Sequence, residues 1–228
     1  MIAANLQNIQ NRIKAAALQA GRNPSSITLV AVSKLIAVTA LQQAIACGQT
    51  IFGENYIQEA VEKKKNLPKE TQLHFIGHLQ RNKAKLAAET FDMIETVDSY
   101  NLAKTLNGHL LKINKTMEVL IQVNLAREPQ KSGIEAEEAR QLLIDMRSLP
   151  QLKIRGLMTM PPFSENPEDS RPIFRGLRIL AEELAVQGLF GEVERPELSM
   201  GMSEDFTIAI EEGATIIRVG TAIFGKRP

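Results

Sequence analysis

The sequence contains a single cysteine, Cys47, which excludes an internal disulfide and any metal site built from several cysteines. It also has no excess charge of either sign, with 27 basic and 26 acidic side chains among 228 residues. This balance argues against a face that binds nucleic acid or another polyanion. No apolar run approaches the roughly 20 residues that a membrane-spanning helix needs. We therefore expect no membrane partner, and the lone thiol is compatible with a reducing cytoplasm as the location.

The amino terminus lacks the continuous apolar centre of a signal peptide. Apolar residues instead recur at helical spacing among polar ones, at Ile2, Leu6, Ile9, Ile13 and Ala17. This spacing predicts an amphipathic helix that presents one apolar face. With 44% hydrophobic residues, the chain has enough apolar material to bury one sizeable core.

Short apolar runs alternate with helical stretches along the chain, which is typical of a parallel sheet built from βα units. Eight runs are visible, at 27–33, 50–53, 73–77, 92–98, 117–125, 152–160, 197–200 and 214–225. Because such barrels usually have about 250 residues, this predicts a single (β/α)8 TIM barrel domain over residues 1–228, with an extra N-terminal helix. An open doubly wound sheet is the alternative, since periodicity does not show whether the sheet closes. The segment 161–169, rich in proline and acidic residues, is expected to be a mobile βα loop.

The first run ends in a lysine, in the tripeptide Val32-Ser33-Lys34. Active sites of parallel barrels lie at the carboxyl ends of the strands, so the Lys34 amine is expected at the barrel mouth. Partial desolvation there would favour the neutral amine that Schiff-base chemistry requires. From this tripeptide alone, a surface lysine that extends from a strand end is the competing interpretation.

The seventh and eighth runs end in small and hydroxyl-bearing residues, where barrels commonly bind phosphate. Glycine permits close backbone approach, and hydroxyls and a helix start favour an anion. We predict a phosphate cup formed by Ser199, Gly220 and Thr221. Ser203 is a further candidate, although it is equally typical of an N-cap for the helix expected over 204–212.

Arg218 stands inside the otherwise apolar eighth run, two residues before Gly220 and two after Ile216. It should share their strand face and point into the barrel. A buried guanidinium needs a partner. Either a structural ion pair or a heteroaromatic ring nitrogen would serve. A ring nitrogen that faces an arginine stays unprotonated, which makes the ring a poorer electron sink.

Several polar residues near other strand ends carry two interpretations each. Asn55 could hydrogen-bond a ligand oxygen or act as an N-cap. His78 could reach the barrel mouth, whereas His74 and His109 are expected to be structural or exposed. The histidine spacing does not indicate a metal site. The basic residues of 81–85 are typical of a solvated helix face, with an anion or a partner protein as alternatives.

Seven motifs together resemble one known family: VAVSK at 30–34, FGENY at 52–56, HFIGHLQRNK at 74–83, KSG at 131–133, RGLM at 155–158, LSMGMS at 198–203 and RVGTAIFG at 218–225. They occur in the order found in the YggS/PROSC family of proteins that bind pyridoxal 5′-phosphate (PLP) or maintain its homeostasis. The resemblance runs from the amino-terminal helix to the last strand. One departure is Leu35-Ile36-Ala37, where relatives often carry a Thr-x-Pro-like turn, which puts the rigidity of this loop in doubt.

The resemblance implies a PLP barrel of fold type III, similar to the N-terminal domain of alanine racemase without its additional β domain. It implies that Lys34 forms a Schiff base with PLP, that Ser199, Gly220 and Thr221 hold the phosphate, and that Arg218 faces the pyridine nitrogen. Asn55 is expected beside the ring. The family is associated with vitamin B6 and amino-acid homeostasis, generally without a demonstrated reaction, and its members are typically monomeric.

Three functional hypotheses remain open at this stage. The first is a binding or carrier protein that holds PLP reversibly and passes it to apo-enzymes or signals to a regulatory protein. The second is a fold-type III enzyme such as an amino-acid racemase, which needs a proton donor opposite the lysine; Tyr56 and Tyr100 are the only tyrosines. The third is a Schiff-base aldolase of phosphosugars, which the family motifs disfavour.

Overall fold

The computed structural model describes residues 1–128, 130–191 and 193–225. Eight parallel strands follow one another in chain order around a closed barrel. They are β1 (Thr28–Val32), β2 (Ile51–Glu54), β3 (Gln72–Phe75), β4 (Met93–Val97), β5 (Met117–Gln122), β6 (Leu152–Met158), β7 (Glu197–Ser199) and β8 (Ile216–Val219).

The barrel closes through pairing of the first strand with the last. Thr28 is opposite Ile216 and Ala31 is opposite Val219, in a continuous parallel register. The predicted TIM barrel is therefore confirmed, and the alternative of an open doubly wound sheet is wrong. Closure leaves the sheet without free edges and brings the carboxyl ends of all strands to one rim.

Nine α-helices surround the barrel in the described part of the chain. They are α1 (Ile2–Gln19), α2 (Val38–Ala46), α3 (Ile57–Lys64), α4 (Ala84–Thr90), α5 (Tyr100–Lys112), α6 (Ala139–Met146), α7 (Arg171–Val186), α8 (Phe206–Glu211) and α9 (Thr221–Phe224). The main core lies between these helices and the outer face of the sheet, around fully buried side chains such as Phe52, Phe75 and Phe174. None of the described helices combines the length and apolar character needed to cross a membrane.

The predicted amphipathic helix at the amino terminus is confirmed as α1, the extra helix before the first strand. Its buried face comprises Leu6, Ile9, Ile13, Ala16 and Ala17. The helix packs on α8 and α9, and the Asn5 amide donates to the carbonyl of Ile223 at 2.8 Å. The first and last helices of the described residues are thus joined directly.

The barrel interior is layered. An apolar layer of Val30, Met93, Leu120, Met158 and Ile216 fills the part nearer the amino ends of the strands. Because side chains two apart along a strand share a face, Arg218 follows Ile216 into the interior and Glu95 follows Met93. The layer nearer the barrel mouth is consequently polar, with both of these side chains buried.

The eighth run is shorter as a strand than the sequence suggests. The predicted strand over 214–225 is a strand only at Ile216–Val219, and Thr221–Phe224 is the short helix α9. Gly220, with φ −120° and ψ −73°, takes the chain out of the strand and into this helix. The predicted helix at 204–212 is confirmed with narrower bounds, Phe206–Glu211.

Candidate functional site

A cavity of about 410 Å³ opens at the carboxyl end of the barrel. This volume falls within the range of roughly 300–1,000 Å³ typical of small-molecule sites. Its walls come from the ends of β1, β2 and β8, from the turn after β7 and from the loop between β6 and α7. Five of the six predicted binding residues line it: Lys34, Asn55, Arg218, Gly220 and Thr221.

Lys34 lies in a tight turn that begins where β1 ends. The Ile36 amide donates to the Ser33 carbonyl at 3.0 Å and closes this turn. Lys34 is half-buried and lines the cavity. Lys34 is therefore part of the cavity wall, which is the position that the Schiff-base hypothesis requires.

Arg218 reaches the cavity from within the barrel and is held by two neighbours. Its Nη1 donates to Ser199 Oγ at 2.5 Å, and its Nη2 donates to the Thr159 carbonyl at 2.9 Å. Burial lowers the pKa of the guanidinium, while the charges of Glu95 and Asp205 oppose this effect. A guanidinium has five N–H donors, so two contacts leave others for a ligand in the cavity.

Ser199, predicted to belong to the phosphate cup, lies below the cavity and does not line it. Its hydroxyl donates to Glu95 Oε2 at 2.5 Å and accepts from Arg218. The side chain is fully buried and both roles of its hydroxyl are used within the protein. In this structure Ser199 supports Arg218, and it contributes nothing to the cavity wall.

Glu95 and His74 complete a buried row of hydrogen bonds beneath Arg218. His74 Nδ1 lies 2.8 Å from Glu95 Oε1. Burial by itself would raise the pKa of the Glu95 carboxyl, but the hydrogen bond and charge of His74 and the charge of Arg218 outweigh it and lower the pKa. The expected structural role of His74 fits this arrangement. Glu95 was not predicted, although its signal was the same as that of Arg218: a charged residue within an apolar strand.

The turn after β7 brings Ser203 to the cavity beside Gly220 and Thr221. Ser203 does not cap α8, since Asp205 occupies the N-cap position. Its hydroxyl instead accepts from the Ala222 amide at 3.4 Å. The two turns that the sequence predicted for phosphate are therefore joined, with the hydroxyls of Ser203 and Thr221 at one end of the cavity.

Asn55 is positioned by the close approach of two backbone segments. A Cβ atom on Gly77 would lie 2.5 Å from the Asn55 carbonyl oxygen, so only glycine fits there. The Asn55 side chain does not cap α3, because Tyr56 is the N-cap residue and makes no capping bond. Within the described part of the chain, Asn55 Oδ1 is buried without a hydrogen-bond partner. This orphaned acceptor beside the cavity is available to a ligand that donates a hydrogen bond.

His78, which the sequence suggested could reach the barrel mouth, is not among the residues that line the cavity. Its Nδ1 is 2.9 Å from Ser132 Oγ and 3.7 Å from Asp98 Oδ2, and its side chain is 58% exposed. Tyr56 is also exposed and does not line the cavity. Arg81 and Lys85 are exposed, as expected for a solvated helix face.

The cavity therefore combines an amine, a guanidinium and a hydroxyl-bearing turn. Such a set is suited to an anionic ligand with a reactive carbonyl, since the turn provides hydrogen-bond donors and Lys34 provides a nucleophile. The unpartnered Oδ1 of Asn55 and the remaining donors of Arg218 match a ligand with further polar atoms. The residues thus fit the phosphate, aldehyde and ring nitrogen of the cofactor that the sequence predicted.

Comparison with known proteins agrees with this fit. The sequence profile described as alanine racemase, N-terminal domain, matches residues 4–228. A pyridoxal phosphate homeostasis protein of Aquifex aeolicus is 42% identical over 223 residues, 97% of this chain and 96% of its own length. The pyridoxal phosphate homeostasis protein of Escherichia coli strain K12 is 41% identical, over 99% of this chain and 97% of its own.

Solved structures resemble the barrel as a whole. PipY of Synechococcus elongatus, determined with PLP bound, superposes with a TM-score of 0.86 at 37% identity and covers 99% of this chain and 100% of its own. An alanine racemase of Clostridium difficile superposes with a TM-score of 0.76 at 16% identity. This chain covers 60% of that racemase, and the likeness there concerns the fold alone.

Proposed function

Because the chain belongs to the alanine racemase N-terminal domain family and to the pyridoxal phosphate homeostasis proteins within it, we propose that it binds PLP at the barrel mouth. The observation that carries this proposal is the meeting of Lys34, Arg218, Gly220 and Thr221 in one cavity. We propose that the protein serves intracellular vitamin B6 and amino-acid homeostasis. In this role it holds PLP reversibly as a Schiff base on Lys34.

Each group of the cofactor has a matching residue. When bound, PLP would supply the aldehyde for the Schiff base and an electron-withdrawing ring. Gly220 and Thr221 would hold the phosphate, and Ser203 lies close enough to their turn to join them. Arg218 would face the ring nitrogen, and Asn55 would lie beside the ring. Ser199 takes a supporting part, because it fixes the guanidinium of Arg218.

The cavity favours binding over catalysis. No histidine, tyrosine or cysteine occurs among the described residues that line it, and its two carboxylic acids are Glu204 and Asp205. Glu204 is exposed to solvent, so it lacks the burial that tunes a carboxyl group for the proton donor that a racemase needs opposite Lys34. Asp205 lines the cavity, but its carboxylate accepts from Ser170 and from the Met202 amide. Arg218, always protonated, would also keep the ring nitrogen unprotonated and weaken carbanion stabilisation. The lack of a buried proton donor among the described lining residues is the main feature that disfavours the amino-acid racemase alternative, because racemases tolerate such an arginine.

The wider setting follows from the same proposal. We propose that residues 1–228 form one PLP-binding barrel domain that acts as a monomer in the cytoplasm. Apo PLP-enzymes or a regulatory protein would be its macromolecular partners. Phe163 is an exposed apolar side chain that lines the cavity, and the exposed Leu35 and Tyr56 directly follow the lining residues Lys34 and Asn55 in the chain. These side chains support access by such a partner.

The decisive test is covalent trapping of the cofactor. Purified protein mixed with PLP should show visible imine absorbance, and borohydride should fix the cofactor with the matching mass increase. Peptide mapping should place it on Lys34. Lys34→Ala should abolish both signals, whereas Lys85→Ala, at an exposed position that does not line the cavity, should retain them. A wild-type protein that stays colourless with PLP would refute the proposal.

The enzyme alternative predicts a different result. A racemase would exchange the α-proton of a free amino acid with deuterium from the solvent, at a rate that depends on Lys34. We expect no exchange above that of free PLP. Fast, Lys34-dependent exchange measured by NMR would replace the binding proposal with the catalytic one.

A further inference from the structure

Two side chains of helix α3 hold the peptide groups on either side of Lys34. Lys63 of α3 donates from Nζ to the Ser33 carbonyl at 2.5 Å. Glu59, one turn earlier on the same helix, accepts the Leu35 amide on Oε1 at 2.7 Å. The carbonyl before Lys34 and the amide after it are thus both fixed from α3.

These two side chains belong to one buried cluster of charges. The Lys63 Nζ lies 2.6 Å from Glu59 Oε1 and 2.7 Å from Glu54 Oε1, and Lys63 is 4% exposed. Ser33 Oγ donates to the same Glu54 oxygen at 2.6 Å. A buried ammonium needs such partners, because removing one leaves an uncompensated charge. Here one of its three partners is the backbone next to Lys34.

The backbone of this turn adopts a conformation that needs outside support. Leu35 has φ +60°, in the left-handed region that glycine favours, yet it is a leucine with 54% of its surface exposed. Such a conformation persists only where the surroundings over-determine it. Packing of an exposed side chain does not supply that constraint. The hydrogen bond from the Leu35 amide to Glu59 does, together with the Ile36–Ser33 bond that closes the turn.

We propose that Glu59 and Lys63 are positioning residues that hold the Lys34 turn in the shape required for its amine to meet an aldehyde in the cavity. This inference rests on the proposed function and adds how the Schiff base is favoured. In the covalent step the Lys34 nitrogen bonds to the aldehyde carbon, and the carbonyl oxygen leaves as water without any redox change. The turn is already ordered in the folded protein, so less conformational entropy is lost when the Schiff base forms.

The test separates covalent from non-covalent binding. Pyridoxamine 5′-phosphate has the ring and the phosphate of PLP but no aldehyde, so it reports on the cavity without the Schiff base. Glu59→Ala removes the acceptor for the Leu35 amide and one of the three partners of Lys63. Lys63 keeps Glu54 and the Ser33 carbonyl as partners, and circular dichroism of the variant checks that the fold persists. Glu59→Gln is the matched control, because its amide oxygen can still accept the same bond.

We expect Glu59→Ala to weaken PLP binding about tenfold, the size expected for loss of one charge-assisted hydrogen bond. Binding of pyridoxamine 5′-phosphate should stay within about twofold of wild type, and Glu59→Gln should behave like wild type with both ligands. Hydrogen exchange of the peptide that contains Leu35 should accelerate in Glu59→Ala and remain slow in Glu59→Gln.

Other outcomes would overturn the inference. Equal loss of both ligands in Glu59→Ala would show a general effect on the cavity instead of positioning of Lys34. Unchanged PLP binding and unchanged exchange would show that the turn holds its shape without Glu59. If the wild-type protein binds pyridoxamine 5′-phosphate but forms no Schiff base with PLP, the proposed function is refuted, and this inference is refuted with it.

Discussion

Arg218 and Glu95 face each other inside the barrel, with Nη1 of the arginine 3.9 Å from Oε2 of the glutamate. The hydroxyl of Ser199 lies between them and bonds to both. The guanidinium of Arg218 is buried in the barrel interior, so its charge needs an acidic partner there. Glu95 supplies that balance, and it makes the orientation of Arg218 depend on residues that do not line the cavity.

Removing the Ser199 hydroxyl should reduce stability. Ser199→Ala leaves one N–H of Arg218 and one oxygen of Glu95 without their bridge, which should cost about 1–3 kcal/mol of unfolding free energy. Urea unfolding followed by circular dichroism would measure this. Binding of PLP should weaken as well, because Arg218 would lose its fixed orientation.

Ser203→Ala provides the matched comparison, since its hydroxyl lies at the cavity and not beneath it. It should weaken binding of PLP while leaving the unfolding free energy within about 0.5 kcal/mol of wild type. If Ser199→Ala were as stable as wild type and lost only affinity, Ser199 would be a ligand of the phosphate, as the sequence alone suggested.

The free energy of unfolding at acidic pH should depend on the charge of Glu95. Its pKa is lowered in the folded state, chiefly because its bond to His74 and the charges of His74 and Arg218 outweigh burial. The stabilisation from the ionised form is therefore fully present above the ordinary glutamate pKa, about 4.3. It is lost as the pH falls towards the lowered folded value.

Glu95→Gln should accordingly cost about 3 kcal/mol near neutral pH. The difference from wild type should shrink as the pH falls below about 4.3, where the unfolded wild-type carboxyl takes up its proton. Parallel urea titrations at several pH values would measure it. A constant difference across this range would mean that the charge of Glu95 is not what stabilises the fold.

The architecture could be predicted because apolar runs and helical stretches alternate over the whole chain. The site could be predicted because parallel strands end on one rim, so Lys34, Asn55 and Gly220 had to meet there. The sequence did not predict how deep each side chain lies within the barrel. Ser199 and Ser203 look equivalent in the sequence, yet one lies under the cavity and the other lines it.

The burial of Arg218 was predicted from its place in an apolar strand, but the burial of Lys63 was not. Lys63 belongs to the run EKKK in α3, which is typical of a solvated helix surface, but its amine lies inside the protein. Only the crossing of α3 over the end of β1 brings it to the Ser33 carbonyl. The doubt about the Leu35-Ile36-Ala37 turn is answered by the same contacts. Glu59 supplies from another element a constraint that the local sequence lacks.

The amino-terminal helix should contribute to the stability of the whole barrel. Ile9 is 1% exposed and packs in the main core. Ile9→Ala should cost about 2–5 kcal/mol, whereas Leu18→Ala, at an exposed position of the same helix, should cost less than about 0.5 kcal/mol. Both variants should unfold in a single transition by circular dichroism. A first, separate transition in Ile9→Ala would mean that α1 detaches independently and that residues 1–228 are not one cooperative domain.

Gly201 connects the backbone of Arg218 to the turn that carries Ser203. Its carbonyl accepts the Arg218 amide at 3.0 Å, and its φ of +93° lies in the region that favours glycine. A Cβ atom there would lie 2.5 Å from the Cβ of Ala209, a distance that forces α8 or the turn to move. Gly201→Ala therefore combines backbone strain with a steric clash at a position that holds two cavity elements.

Gly21→Ala separates these two effects. Gly21 has φ +67°, and a Cβ atom there meets nothing within 4 Å, so that variant adds strain alone, about 1 kcal/mol. Gly201→Ala should cost about 1–3 kcal/mol more because of the clash, and it should weaken PLP binding while Gly21→Ala leaves it unchanged. Urea unfolding and PLP titration of both variants provide the comparison. Equal costs and equal affinities would mean that the turn after β7 yields freely, and that the position of Arg218 is set by its side-chain partners alone.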